Sequence, residues 1–517
     1  MSYTWLDWLL SLAPMLVVLG LMIVRGWNAG RAGLAGWLLT LLLAAWRFET
    51  GGSALGYAQL KALLLTVDVS VIVWAALLLY YVVDRAGALQ VIALALSRLT
   101  ADRLTQVLLL GWVFASFLQG VGGFGVPVAI VAPLLIGMGV PQVAAAVIPA
   151  IGHGWAVSFG SLAASFVMLV NVTGLSGERL APAAATMLGL LSYASGLMGA
   201  HTLEGWRGVR RALPYVLVTG TVMGLAQYAL AVSGLWTLGA IGGGLAGLAV
   251  SVIWVRLRAE HADPPAASSS NSRPLPSIPL ALASYAVLIA LALGLRGIAP
   301  VKEYLGQWAV AVDIPGTTTG RGWTIAPEED AGFGIPGHPG LIIVYSSLLA
   351  YALYARRGFY PPGAARDILQ QSGGRAVKSA VGVFMMVAIA ATMERAGMVE
   401  VLARGMSDAV PSDLYPFLAP LIGALGAFVT GSNVNSNAVF GVLQRDTAAM
   451  LGLSVTVILG AQTAAAAVIS VMSPAKVTVG CSTVGASEGA VMRRLLGYGA
   501  VTVLIVGVMA WLALKIG

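Results

Sequence analysis

The chain has 517 residues, 58% of them hydrophobic and 10% charged, with a formal net charge of +8. A soluble domain carries roughly a quarter charged residues, and no soluble core hides this much apolar surface, because much of any folded exterior is already apolar. A soluble enzyme is thereby excluded, as is a disulfide scaffold, since Cys481 is the single cysteine; four histidines leave little for a metal centre. The positive charge is assigned to cytoplasmic loops of a membrane protein rather than to nucleic acid binding.

In chain order, MSYTWLDWLLSLAPML has no basic residue before its apolar run, so it reads as a retained first span and not a cleaved signal. A crossing helix needs about 20 mostly apolar residues. Spans are expected at 4–24, 29–48 and 59–83. The apolar stretch 104–138 is interrupted by GVGGFGVP and reads as a re-entrant hairpin. Further spans fall at 142–171, 180–201, 211–233 and 235–256, the last with Gly239, Gly243 and Gly247 on a close-packing stripe for scaffold or dimer contact. Residues 259–278 form a Pro/Ser/Ala cytoplasmic linker. After a span at 279–297 comes a polar external loop, 298–339, expected to be tolerated rather than functional. Spans at 340–356 and 376–393 precede a second broken stretch, 412–446, interrupted by TGSNVNSN. Spans at 455–484 and 494–515 complete a count of twelve. With the N-terminus outside, most basic residues fall on the cytoplasmic side, among them Arg25, Arg31, Arg103, Arg211, Lys378 and Arg493.

Asp84-Arg85-Ala86-Gly87 recurs as Glu394-Arg395-Ala396-Gly397, 310 positions later. The same offset lays the first break (120–127) on the second (430–437) and Val147-Ile148 on Val457-Ile458. The two acid–Arg pairs read as interfacial pairs that end helices. The expected fold is therefore an all-α polytopic membrane protein: about twelve transmembrane helices plus two re-entrant hairpins. It divides into two inverted repeats, 1–258 and 279–517, around the linker. Secondary transporters build midplane sites from such discontinuous helices.

The breaks are the expected site, because non-helical backbone at membrane depth survives only where protein or a wet cavity covers it. Gly122, Gly123, Phe124 and Gly125 form the first tip, and Pro127 suits the start of a helix whose N-terminus favours an anion. Thr430, Ser432, Asn433, Asn435, Ser436 and Asn437 crowd the second tip with groups for a carboxylate, a hydroxyl or a small cation; helix capping is the alternative. Gln119 precedes the first tip. His153, and Gln462-Thr463 at the matching place, interrupt the following spans. His153 binds substrate, carries a proton, or sits as a packed neutral ring. Lys476 pairs with a substrate carboxylate or snorkels to the interface. Asp68 is a protonatable relay or a polar helix contact.

FVTGSNVNSNAVFGVLQ (428–444), SFLQGVGGFGVPVAI (116–130) and SPAKVTVGCSTVG (473–485) resemble the signature segments of the L-lactate permease family. The resemblance runs through both halves in order. It implies proton-coupled uptake of L-lactate, often also D-lactate and glycolate, across the bacterial inner membrane, by an elevator motion of a hairpin-bearing domain. It implies no enzyme activity and no cofactor. The partners expected are a small monocarboxylate, H⁺ or Na⁺, the lipid bilayer and a possible second copy in a homodimer. Two positions depart from the family pattern: Gln119 stands where Glu is common, and Gly152-His153-Gly154-Trp155 replaces an Asn-Thr-Ala-like segment. His153 and Asp68 are therefore the proton-coupling candidates. A Na⁺-coupled carrier of another small organic anion is the alternative.

Overall fold

The computed structural model describes residues 3–123, 125–258, 275–296 and 298–516. α1 (Trp5–Arg25) starts in a capping box in which Thr4 and Asp7 exchange hydrogen bonds. Its packing is inside out: Asp7, Ser11, Pro14 and Val18 are buried while Leu9, Leu16 and Ile23 are exposed. An apolar exterior of this kind is what lipid requires. α2 (Ala29–Trp46) starts on the Asn28 side chain, and exposes Leu34, Leu38, Leu42 and Trp46 at four-residue intervals. α3 (Gly52–Arg85) and α4 (Ala88–Ser97) follow.

Next comes a helical hairpin. Its first limb joins α5 (Arg103–Leu108), a buried π-helical turn (Leu109–Phe114) and α6 (Ala115–Val121). The returning limb is α7 (Val126–Gly137). Arg103 Nη2 donates to the Gly139 carbonyl at 2.6 Å, so the hairpin ends where it began. α8 (Gln142–Gly152) then breaks into 3₁₀ turns at Gly154–Ala156 and Ser161–Ala163 before α9 (Ala164–Thr173) resumes. α10 (Gly177–Val232) folds back at Gly205, with Gly189 against Gly224 and Tyr193 bonded to Thr221 at 2.8 Å. It therefore supplies both spans expected at 180–201 and 211–233. In α11 (Gly239–Leu257), Gly243 and Gly247 pack on Met223 of α10, so this stripe serves contacts within the chain. α12 (Ile278–Arg296) and α13 (Ala299–Gly306) lead to the polar loop before α14. Of the expected linker, residues 259–274 lie outside the described residues.

That loop adds short strands to the expected all-α fold. β1 (Ala309–Ile314) pairs antiparallel with β4 (Glu328–Gly334), and β2 (Thr317–Thr318) with β3 (Thr324–Ile325), a small β excursion in an otherwise helical chain. Its charges find partners on the helices. Arg321 and Arg47 both pair with buried Asp7 at 2.8 Å. Glu328 takes Lys61 at 3.0 Å and Arg395 at 3.5 Å. The Gly320 N–H donates to the Glu49 carbonyl at 2.9 Å.

The second half runs through α14 (Pro339–Arg356), α15 (Ala364–Arg395), α16 (Met398–Ala409), a hairpin of α17 (Tyr415–Thr430) and α18 (Asn433–Met450), then α19 (Val455–Ser470), α20 (Pro474–Val484) and α21 (Glu488–Ile516). α2 and α14 begin 310 positions apart, as do α4 and α16, and Gly87 and Gly397 share the left-handed conformation (φ 76°) that separates the long helix from the short one. Both acid–Arg motifs end helices, α3 and α15, as expected; in the second the two charges go to separate partners, Glu394 taking Lys61 at 3.3 Å and Arg445 at 3.4 Å while Arg395 turns to the loop. Among the described residues, twelve helices are long and apolar enough to cross a membrane. The number equals the expected one but its members differ, because Arg103–Val121 is included and α10 stands for two spans.

Candidate functional site

A cavity of about 690 Å³ opens where the two hairpin tips meet the broken helices. The first half contributes Gln119 from α6, Ser161 from the unwound segment, and Ala164 and Ser165 from the first turn of α9. The second half contributes Thr430, Ser432, Asn433 and Asn435 from the second tip, and Lys476 from the first turn of α20. Asn28 and Lys378 also line it. Four helices, α2, α9, α18 and α20, thus bring their first turns and the positive ends of their dipoles to one space. The lining holds two lysines and no aspartate or glutamate. Among the described residues no carboxylate pairs with Lys476. A space with this lining attracts a small anion.

The second tip is organised by its own polar groups. Ser432 caps α18, accepting from the Asn435 N–H at 3.3 Å. Asn433 Nδ2 donates to Ser158 Oγ at 2.9 Å, and Ser158 is bonded to Thr463 Oγ1 at 3.1 Å. Asn437 Nδ2 donates to the Ser165 carbonyl at 2.9 Å and to Thr463 Oγ1 at 3.0 Å, and its Oδ1 accepts from Gln462 Nε2 at 3.2 Å. Ser436 Oγ donates to the Gly423 carbonyl at 2.7 Å, across the hairpin. The side-chain oxygens of Asn433, Asn435, Gln462 and Ser473 are buried without hydrogen-bond partners among the described residues. Buried polar groups of this kind call for a partner, which a ligand, an ion or water can supply.

The first tip works by close approach. Gly123 has φ 53°, and a Cβ there would collide with Ser161 Oγ. A Cβ on Gly160 would come 2.8 Å from Gln119 Nε2. Gly122 lies against the Tyr80 ring. Phe124 lies outside the described residues.

The structure thus brings Gln119, Thr430, Ser432, Asn433, Asn435 and Lys476 to one cavity. Ser436, Asn437, Gln462 and Thr463 brace its wall, and Gly122, Gly123 and Gly125 shape the tip. His153 is buried behind the lining with Nδ1 on the Pro149 carbonyl, so Nδ1 carries a proton and donates it there. Asp68 is elsewhere: its carboxylate accepts from Asn171 of α9 and, at 2.6 Å, from His338 Nε2, beside a separate cavity of about 350 Å³. The Gly340 N–H donates to His338 Nδ1 at 3.1 Å, so Nε2 carries the proton directed at Asp68.

Sequence reasoning missed Asn28, Ser158, Ser161, Ser165, His338 and the cavity role of Lys378. His338 sat in a loop taken as tolerated, and Lys378 was absorbed into the basic loop count. Ser158 and Ser161 lie in a run whose unwinding only the polar GHGW segment announced.

A many-helix membrane protein with a polar, lysine-bearing cavity between two broken-helix hairpins is of the permease class. The family model for L-lactate permease matches residues 7–296 and 332–517, and the chain belongs to that family. It is similar to an L-lactate permease of Streptococcus iniae (28% identity; 74% of this chain, 78% of the relative). It is also similar to glycolate permease GlcA of Escherichia coli K12 (25%; 98% and 95%) and an L-lactate permease of Bacillus subtilis 168 (26%; 92% and 90%). Among solved structures, the YdaH transporter of Alcanivorax borkumensis is similar at 17% identity and a TM-score of 0.45, over 90% of this chain and 87% of that one.

Proposed function

We propose that this permease imports small monocarboxylates, L-lactate, D-lactate and glycolate, together with protons across a bacterial inner membrane. The observation that carries the reading is the cavity lined by Lys378 and Lys476 with no acidic side chain. The substrate carboxylate sits against Lys476 and the first-turn N–H groups of α18 and α20. Uncharged hydroxyl and amide side chains meet the rest of the molecule. Carrying a bare anion inward opposes a negative-inside potential by about 2.3 kcal/mol per charge per 100 mV, so a cation must accompany it. A proton is the proposed partner, with His153, within electrostatic reach of Lys476, and Asp68 as the groups that handle it.

The mechanism proposed is an elevator. Two inverted repeats, 1–258 and 279–517, carry re-entrant hairpins, and the hairpin-bearing module moves against the frame of α1–α4 and α14–α16. The return of the first hairpin to Arg103 supports this. With the basic side inside, a cavity lined by Asn28 and Lys378 opens to the cytoplasm in the proposed mechanism, which makes this its inward-open state.

A second reading, Na⁺-coupled carriage of another small organic anion, is favoured by one observation: the unpartnered amide oxygens of Asn433, Asn435 and Gln462 are ligands of the kind a small cation takes. Uptake of labelled L-lactate and glycolate into proteoliposomes separates the two. An inward proton gradient drives accumulation, and replacing Na⁺ with choline leaves it unchanged. Loss of uptake in choline selects the second reading.

A further inference from the structure

We propose that Ser161 reads the substrate's 2-hydroxyl and is the residue that separates 2-hydroxy acids from their deoxy counterparts. This rests on the monocarboxylate reading above.

The cavity has two chemically different walls. Both lysines come from the second half; the first-half side chains that line it, Asn28, Gln119, Ser161 and Ser165 among them, carry no charge. A carboxylate is held by the charged wall, which leaves the neutral wall to meet a neutral hydroxyl. Of the five lining serines, Ser432 is spent on capping α18, Ser470 on the Ala467 carbonyl at 2.9 Å, and Ser379 belongs to the second half beside Lys378, which leaves Ser161 and Ser165 on the neutral wall. The Ser161 hydroxyl has no hydrogen-bond partner among the described residues; its Oγ lies over Gly123 at the first tip, next to Gln119.

The backbone singles this serine out. Ser161, Leu162 and Ala163 have φ values of 47°, 56° and 65°, three successive non-glycine residues in the left-handed region. That region is unfavourable for side chains with a Cβ, and a run of it persists only where the surroundings over-determine it. Here they do: the Ala163 N–H donates to the Gly160 carbonyl at 3.0 Å and the Phe166 N–H to Ser158 at 3.3 Å, while Gln119 occupies the space beside Gly160. The run ends at α9, so it turns the unwound chain after α8 into a helix N-terminus within three residues. Glycines at these positions would make the same turn with less strain. Strain kept at a cavity wall, on a residue with an unspent hydroxyl, points to a held functional group.

The test uses full-length protein in nanodiscs and calorimetric titration with matched pairs: glycolate against acetate, L-lactate against propionate. Wild type prefers the hydroxy acid of each pair. Ser161→Gly, which suits φ 47° and so keeps the fold, weakens glycolate and L-lactate about tenfold and leaves acetate and propionate unchanged, because one neutral hydrogen bond made only by the hydroxy acids is lost. Ser161→Ala gives the same collapse of preference. Retention of the preference in both variants, or equal weakening within each pair, overturns the assignment while leaving the transport reading intact. Wild-type protein that binds all four acids equally overturns this assignment alone; wild-type protein that binds none overturns both.

Discussion

Replacing Lys476 with Met removes the half-buried cation at the centre of the proposed site while keeping much of the side-chain volume. A carboxylate about 4 Å from an ammonium gains about 4 kcal/mol at an effective dielectric constant near 20. Water in a cavity of about 690 Å³ screens part of that, and roughly half, or about 2 kcal/mol, is the expected loss. This corresponds to a thirtyfold weaker binding constant. The fold should hold, because among the described residues Lys476 makes no ion pair whose partner would be stranded. Calorimetry with L-lactate in nanodiscs and KM for uptake into proteoliposomes should both move by this factor, with Lys476→Arg recovering part of it. Wild-type affinity in Lys476→Met would refute the reasoning and return Lys476 to the role of a snorkelling residue.

Asn435→Ala should abolish lactate uptake by reconstituted protein while the melting temperature stays put, since Asn435 faces the cavity and makes no side-chain bond to the wall. Asn437→Ala should do the converse to stability: it strands the Ser165 carbonyl and Gln462, costing about 2–3 kcal/mol, read as a lowered thermal midpoint in detergent. Gly152→Ala places a methyl group against the Gly111 carbonyl inside the helical core and should prevent recovery of folded protein, checked by size-exclusion profile. Asp102 gives a pH signature. Burial pushes its carboxyl up, but bonds from the Thr105 hydroxyl and N–H and the Arg211 charge outweigh this and hold it below the ordinary range. Its contribution is therefore present above the unfolded value near 3.9 and lost as pH falls through the lower folded value. Asp102→Ala should lower stability by about 1 kcal/mol at neutral pH, with the deficit shrinking under acid; a deficit independent of pH would contradict the assignment.

Much of the fold was legible because lipid imposes simple demands. A run such as LLLTVDVSVIVW must be a buried or lipid-facing helix, and GVGGFGVP or TGSNVNSN cannot continue one. The correspondence of Gly87 with Gly397 was legible because both take a left-handed turn, a conformation that favours glycine. The structure of the loop before α14 was not legible: ion pairs such as Arg321 with Asp7 join residues more than three hundred positions apart, and no local pattern encodes them. At the site, polar residue type identified the second tip, yet type alone did not separate Asn435, which meets the cavity, from Asn437, which braces its wall. That division depends on a helical turn of about 100° per residue and on which neighbour each face meets. Ser161 escaped because a serine in left-handed backbone has no sequence signature, whereas a glycine there would have had one.

The most direct measurement is a cryo-electron microscopy map of the protein in nanodiscs with saturating glycolate. A two-carbon acid is predicted between the hairpin tips, its carboxylate against Lys476 and its hydroxyl toward Ser161 and Gln119. Ligand resting instead beside Asp68 and His338, with the space between the tips unchanged, would contradict the assignment of this cavity as the transport site.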